Sequence, residues 1–334
     1  MLTRVDLEKR EIEILSEKAT KAAFSKGRLV PEEPCPMRTC FQRDRDRILH
    51  SKAFRRLMHK TQVFLAPEGD HFRTRLTHTL EVGQVARTIA RGLNLNEDLT
   101  EAIAMGHDLG HTPFGHNGEA VLSDIHGGFR HNEQSLRVVD ILESTPNRSG
   151  MNLTYEVRNG IINHTGSLKA ATLEGQIVNL SDRIAYINHD IDDAVRSGVI
   201  TLDDLPKASV EMFGLGHRDR INCMITNVIE YSDGKDFISM DDEHTKELLI
   251  LRDFMFKNVY RSSKVKKEED LNKVDDIIRS LYKYFCKNPT EMPLEYVKLL
   301  DSDDVGTVVK DYIAGMTDRY AMRIYSNHFG EIKK

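Results

Sequence analysis

Two adjacent residues, His107 and Asp108, offer an imidazole nitrogen and a carboxylate oxygen, the mixture of ligands that hard-to-borderline divalent cations prefer. A His-Asp pair alone is weak evidence, because most such pairs lie on surface helices and make only a local hydrogen bond. Here His78 begins one predicted helix, the pair ends the next, and Asp182 lies on the polar face of a later one. Three helices can therefore bring two imidazoles and two carboxylates to one point, which leaves positions for water and a phosphate oxygen.

Further histidines follow the pair. Five of the chain's 14 histidines fall within 25 residues, and four of them, His107, His111, His116 and His131, are candidate site residues. Glu119 follows His116 by one helical turn. Core packing does not require so many imidazoles, so a reactive site is the better interpretation. For His111, a helix-terminal histidine bonded to a backbone carbonyl is an equally good explanation.

The elements that must position these residues are predicted to be helices, since helical periodicity runs from end to end and strand-like alternation is hard to find. One long helix is predicted over 171–198. Six of its apolar side chains form one stripe, namely Leu173, Ile177, Leu180, Ile184, Ile187 and Ile191. Four polar side chains lie roughly opposite, namely Asp182, Tyr186, Asp190 and Asp193. The predicted fold class is all-α, with this helix burying one face and lining a pocket with the other.

Composition excludes several classes of protein. With 40% hydrophobic and 30% charged residues, the 334-residue chain has neither the charge excess of a disordered protein nor the makeup of a disulfide scaffold. No apolar run approaches the roughly 20 residues of a membrane span, and the N-terminus lacks the features of a secretory signal. The four cysteines form no CxxC pair. A cytoplasmic protein without membrane partners is expected.

A basic segment at 38–60 allows two interpretations. It concentrates arginine and lysine although the net charge of the chain is -5. Such a segment can face phosphates, including those of single-stranded nucleic acid. A solvated helix held by Asp–Arg pairs explains it more simply and is favoured.

Six blocks of sequence resemble the bacterial deoxyguanosine triphosphate triphosphohydrolases, which are related to the vertebrate HD-domain deoxynucleotide triphosphohydrolase that restricts viral replication. The blocks span most of the chain: RTCFQRDRDRILHSKAFRRLMHKTQVF (38–64), RTRLTHTLEV (73–82), GHDLGHTPFGHNGE (106–119), FRHNEQS (129–135), NLSDRIAYINHDIDD (179–193) and GMTDRYA (315–321). The resemblance implies an HD-domain helical fold. Its expected divisions are an N-terminal helical arm (1–50), the HD phosphohydrolase domain (51–200) and a C-terminal helical region (201–334) that completes the nucleotide pocket.

The resemblance also implies a role for individual residues. Those that match the family's metal ligands are His78, His107, Asp108 and Asp182. Those that match its catalytic groups are His116, Glu119 and His131, and the sequence does not decide which histidine protonates the leaving group. Those expected to bind substrate are Arg75, His111 and Arg183 for the phosphates and Gln62, Tyr186 and Asp190 for the sugar.

The implied activity is hydrolysis of deoxynucleoside triphosphates, with dGTP as one candidate, to a deoxynucleoside and intact triphosphate. One divalent ion per site is implied, with Mn²⁺ or Mg²⁺ first and Fe, Co or Ni also suited to the ligands. The family also implies a homo-oligomer. The alternatives are another HD-type nucleotidase or phosphodiesterase, and a non-catalytic protein that binds nucleotide or, weakly, single-stranded nucleic acid.

Overall fold

Helices supply nearly all the regular structure in the computed structural model, which describes residues 1–62, 72–262, 265 and 267–330. The α-helices of this part are α1 (Arg4–Ile14), α2 (Cys40–Leu49), α3 (Lys52–Arg56), α4 (Arg75–Gly92), α5 (Glu97–Gly106), α6 (Gly115–His126), α7 (His131–Arg137), α8 (Tyr155–Ile162), α9 (Leu173–Arg196), α10 (Lys207–Phe213), α11 (His217–Ser232), α12 (Asp242–Met255), α13 (Glu268–Lys287), α14 (Leu294–Val297), α15 (Val305–Ala314) and α16 (Asp318–Phe329). Within the described ranges, β pairing is limited to three isolated bridges. The all-α prediction is confirmed.

Three helices carry the predicted metal ligands, and they pack against one another. These are α4, α5 and α9. Each begins at a side chain that accepts a hydrogen bond from its first turn, namely Thr74, Asn96 and Thr172. Helix α9 buries its apolar stripe, including Ile177, Ile184 and Ile191. The helix predicted over 171–198 is therefore present; Asp182, Tyr186 and Asp190 of its polar row line a cavity, whereas Asp193 pairs with Arg73.

Two hydrophobic clusters make up the core. The first runs from Ala19 to Val265 and includes Phe41 and Ile48 of α2. The second joins Phe114 and Leu122 to apolar residues of 274–321. The clusters therefore cut across the expected divisions at 50 and 200: helix α2 packs into the main core, and the second core incorporates α6 from the middle of the chain. The three-part division stays a prediction.

The turn after the His-Asp pair is fixed against α7 at Gly110. Its N–H donates to Ser135 Oγ at 2.9 Å, and the Ser135 hydroxyl donates to the backbone oxygen of His107 at 2.7 Å. A Cβ atom at Gly110 would lie 2.2 Å from the backbone nitrogen of Ser135. Only glycine fits this close approach, which sets the His-Asp pair beside the helix that begins with His131.

The basic segment at 38–60 is laced with ion pairs. Arg45 contacts Asp98 and Glu101, each at 3.0 Å, and Arg47 donates two hydrogen bonds to Glu32. The arginines are thus paired with carboxylates, as the favoured interpretation expects, but these carboxylates lie outside the segment, and Phe41 and Ile48 bury one face of α2 in the main core.

None of the helices in the described ranges combines the length and the apolar character needed to cross a lipid bilayer.

Candidate active site

Four side chains, from α4, α9 and the turn that directly follows α5, converge at one point; we call them the metal quartet (His78, His107, Asp108 and Asp182). His78 Nε2 lies 3.0 Å from Asp182 Oδ1, and His107 Nε2 lies 3.8 Å from the same oxygen. His107 Nε2 is also 3.4 Å from Asp108 Oδ1. Burial works to raise the pKa of Asp182, but His78 and His107 lower it to about 2, so the carboxylate is ionised at neutral pH. The structure thus brings together the four residues that the sequence pointed to.

The orientation of His107 suits a metal ligand. Its Nδ1 lies 2.6 Å from the backbone oxygen of Ala104 and must therefore carry the proton, which leaves the Nε2 lone pair facing the quartet. This Nε2 is buried and has no hydrogen-bond partner in the described part of the chain. Donor atoms of His78, His107 and Asp108 lie within 4.8 Å of one another. A buried lone pair beside two carboxylates and a second imidazole fits a divalent cation.

Arg75 lies against the quartet and is almost fully buried. Its Nη1 donates to Asp108 Oδ2 at 2.9 Å. Its Nε and Nη2 are buried without partners among the described residues, and the side chain lines the cavity at the quartet. These N–H groups suit an anionic oxygen of a ligand.

The predicted catalytic groups meet at a single carboxylate. His116 Nδ1 lies 3.1 Å from Glu119 Oε2, and His131 Nδ1 lies 3.0 Å from Glu119 Oε1. Burial works to raise the pKa of Glu119, but the hydrogen bonds from both histidines hold it well below its usual range. One ionised glutamate can therefore orient both imidazoles and stabilise a proton on either.

His111 makes a contact that neither sequence interpretation included. Its Nε2 lies 3.1 Å from Asp108 Oδ1 instead of bonding a backbone carbonyl. Its ring stacks on His131, with centroids 4.1 Å apart. His111 is a buried link between the metal quartet and His131, one of the predicted catalytic histidines.

A cavity of about 380 Å³ opens at the quartet and holds the predicted sugar-side residues. Gln62, Tyr186 and Asp190 all line it. The hydroxyl of Tyr260 donates to Asp190 Oδ2 at 2.6 Å. Burial raises the pKa of Asp190 to about 7, although the Tyr260 hydrogen bond opposes the shift. Gln62, Asp190 and Tyr260 thus give this cavity polar groups suited to binding hydroxyl groups.

A second cavity of about 650 Å³ adjoins the first and is rich in cations. The two cavities share Asp182 and Tyr186 on one side and Thr165 and Phe256 on the other. The cationic side chains of the second are Arg183, Arg252, Lys257 and Arg261. Arg183, predicted to contact phosphate, therefore lies in this second cavity and is absent from the lining of the first.

Sequence reasoning missed several residues of the site, and three of them, His164, Tyr260 and Arg252, illustrate why. His164 is buried, its Nδ1 lies 2.8 Å from the backbone oxygen of Ile161, and its ring centroid lies 5.0 Å from that of His107. Tyr260 and Arg252 come from the C-terminal half. No periodic or spacing signal marks any of the three, because each reaches the site through long-range packing.

Asp318, at the start of α16, holds two segments of chain that border the site. Asp318 accepts hydrogen bonds from the backbone N–H groups of Thr61, at 3.0 Å, and Phe114, at 2.9 Å. Phe114 has a φ of 63°, a left-handed conformation that a bulky residue holds only when its surroundings impose it. Asp318 is thus a positioning residue that ties the chain next to Gln62 to the start of α6.

Lys60, next to Thr61, is buried, and its Nζ donates hydrogen bonds to the backbone oxygens of His111 and Ala314. Burial, reinforced by Arg56, lowers the pKa of Lys60 from 10.5 to about 7. Between these values the unfolded chain binds one more proton than the folded chain, so stability must rise with pH.

Replacing Lys60 with methionine is expected to remove this pH dependence. Relative to Lys60→Met, the free energy of unfolding of the wild type should increase by on the order of 2 kcal/mol between about pH 7 and 9. Urea unfolding of both proteins across this range measures the difference. Parallel pH profiles for the two proteins would contradict the lowered pKa.

The chain resembles known proteins over most of its length. The HD-domain family model matches residues 75–187, and that of a phosphohydrolase-associated domain matches 238–327. A deoxyguanosinetriphosphate triphosphohydrolase-like protein of Caldanaerobacter subterraneus is 55% identical over 98% of this chain and 96% of its own. One of the same name from Desulfatibacillum aliphaticivorans is 49% identical over 98% of each. A solved phosphohydrolase from Bacteroides thetaiotaomicron aligns with a TM-score of 0.52 at 19% identity, covering 84% of this chain and 68% of that one, which supports the fold alone.

Proposed function

The chain belongs to the deoxyguanosinetriphosphate triphosphohydrolase-like family of HD-domain proteins, and from this membership we propose that it hydrolyses deoxynucleoside triphosphates to a deoxynucleoside and inorganic triphosphate. The observation that carries the proposal is the pair of cavities that share Asp182, one lined by cations and the other lined by Gln62, Asp190 and Tyr260. The name of the relatives makes dGTP the first substrate to test.

The cationic cavity suits the triphosphate. Arg183, Arg252, Lys257 and Arg261 line it together with two carboxylates, so the cations are in excess. Guanidinium groups donate to phosphate oxygens in pairs, which fixes the phosphate chain in one position. Arg75, buried at the quartet with unpaired N–H groups, suits an oxygen nearer the reacting phosphorus.

The other cavity suits the sugar and base. Tyr186 offers a ring face against which a sugar can pack, and a ring in this position leaves little room for a 2'-hydroxyl. Gln62 and the Asp190–Tyr260 pair offer hydrogen-bonding groups to a 3'-hydroxyl. The scissile Pα–O5' bond of a nucleotide that spans both cavities would lie near Asp182.

In the proposed reaction a water oxygen bonds to the α-phosphorus and gives up a proton, the Pα–O5' bond breaks, and O5' takes a proton. When bound at the quartet, a divalent ion, Mn²⁺ or Mg²⁺ first, supplies Lewis-acid stabilisation of phosphate charge and lowers the pKa of water. The leaving alkoxide is strongly basic and needs an acid, which His116 or His131, each held by Glu119, can supply. Arg75 keeps Asp108 oriented through their ion pair.

The test is product analysis with each of the four deoxynucleoside triphosphates and with ATP and GTP as ribose controls. Phosphorus NMR should show intact triphosphate, and chromatography should show free deoxynucleoside. In H₂¹⁸O the label should enter triphosphate and not the nucleoside, since cleavage is at phosphorus. Formation of nucleoside mono- or diphosphate would contradict the proposal and favour another HD-type hydrolase.

Replacing Arg252 with alanine is expected to lower kcat/KM by roughly 10- to 100-fold, mainly by raising KM, because a hydrogen bond to a charged group contributes about 1.5–3 kcal/mol. Steady-state kinetics measures the split between KM and kcat. Arg218→Ala is the matched control, since Arg218 is exposed on α11 and lines neither cavity. Equal KM values for the two variants would rule out Arg252 as a phosphate ligand.

A further inference from the structure

We propose that His111, His116 and Glu119, which we call the outer cluster, form a second metal site that takes a borderline ion such as Zn²⁺, and that occupation of this site inhibits the enzyme. The binding part of the proposal stands on geometry alone. The inhibition part rests on the proposed function.

Three donor atoms of the outer cluster, His111 Nδ1, His116 Nδ1 and Glu119 Oε2, lie close together. His116 Nδ1 lies 3.1 Å from Glu119 Oε2, and His111 Nδ1 lies 3.9 Å from the same oxygen. All three atoms fall within 4.8 Å of one another. The other oxygen, Glu119 Oε1, is already occupied by the backbone N–H and the Nδ1 of His131. Glu119 is therefore oriented by His131, whose Nδ1 also lies 3.3 Å from Oε2, and Oε2 faces the other two histidines as well.

The protonation of His111 leaves a lone pair facing a carboxylate. Its Nε2 lies 3.1 Å from Asp108 Oδ1, and an ionised carboxylate only accepts hydrogen bonds, so this nitrogen carries the proton. The Nδ1 lone pair then faces Glu119 Oε2 at 3.9 Å. Nδ1 is buried and has no hydrogen-bond partner within the described ranges. A lone pair and a negative oxygen repel each other, and a cation between them would satisfy both.

The spacing matches a metal site. Ligand atoms about 2.0–2.2 Å from a tetrahedral ion are about 3.4 Å from one another, and the two measured separations lie on either side of that value. His111 would also have the carboxylate-to-histidine support that metal ligands usually have, because Asp108 holds its other ring nitrogen. His116 is 68% exposed at its side chain, so an ion can enter from solvent.

Two imidazoles and one carboxylate favour zinc over magnesium or manganese, since nitrogen-rich sites follow the Irving–Williams order. An ion at this point replaces the hydrogen bond between His116 and Glu119. His116 would then no longer share a proton with Glu119, and that imidazole would be fixed as a ligand. Turnover should fall as the outer cluster fills.

Binding is tested by counting zinc atoms on the full chain. Asp182→Ala removes a ligand of the quartet and should retain one zinc per chain, in the outer cluster. Adding His116→Ala or Glu119→Gln to that background should weaken this zinc at least 100-fold, and adding His50→Ala, which removes an exposed histidine elsewhere, should not. The zinc absorption edge should show nitrogen and oxygen neighbours only. Zinc retention unaffected by His116→Ala, or sulfur in the zinc shell, would overturn the site.

Inhibition is tested with wild-type protein saturated with Mn²⁺. Stepwise addition of zinc should lower triphosphate release at least 10-fold as one further equivalent binds, and a weak chelator should restore it. Full activity with the outer cluster filled would overturn the inhibitory role. A zinc-free sample that releases no triphosphate would count against the proposed function instead, while the zinc count would still decide the site.

Discussion

Replacing Asp182 with alanine is expected to abolish metal retention at the quartet and to lower turnover by at least ~10³-fold, since metal stabilisation of phosphate charge contributes several kcal/mol. Asp182 Oδ1 lies 3.0 Å from His78 Nε2 and 3.8 Å from His107 Nε2, so its loss removes the atom that the two imidazoles share. The side chain is 22% exposed and lines both cavities, so the fold should survive the change.

Metal content after gel filtration, turnover and circular dichroism measure these effects. Asp192→Ala is the matched control, because Asp192 lies on the same helix and contacts His217 and Arg220 outside the quartet. It should keep its metal and its activity within a few-fold. Removal of metal from the wild type with a chelator should reproduce the Asp182→Ala loss, and added Mn²⁺ should reverse it only in the wild type. An Asp182→Ala protein with stoichiometric metal and normal turnover would remove Asp182 from the metal site.

Replacing His116 with alanine is expected to lower kcat by about 10²–10⁴-fold, the usual contribution of a general acid, with little change in KM. His116 is exposed and its only hydrogen bond within the described ranges is to Glu119, so no structural loss should accompany the change. The histidine would protonate O5' as the Pα–O5' bond breaks.

A substrate with sulfur in place of O5' separates acid catalysis from positioning. A thiolate leaves without a proton, so His116→Ala should recover most of its lost rate with this analogue if His116 is the acid. His131→Ala gives the same comparison for the other imidazole on Glu119. The variant that is rescued identifies the acid. Equal losses on both substrates for both variants would exclude general acid catalysis by either histidine.

The sequence predicted the helical fold, and the helix ends and faces that carry the quartet, because these depend on local order. A 3.6-residue period places Asp182 opposite the apolar stripe of α9, whatever the helix packs against. His78 lies in the first turn of α4 and His107 directly follows α5, as the helix signals indicated. Helix ends and helix faces are determined by a few neighbouring residues. The resemblance to the family then indicated which of these residues come together in one site.

The tertiary structure alone decided what surrounds the quartet. The Tyr260–Asp190 bond joins residues 70 apart, and the bond from Phe114 to Asp318 joins residues 204 apart. Such contacts follow from how helices dock, and no local pattern encodes them. The sequence showed that the histidines lie close together along the chain. Only the tertiary structure shows that His116 and His131 both contact Glu119 and that His111 contacts Asp108, because these contacts depend on how the helices pack.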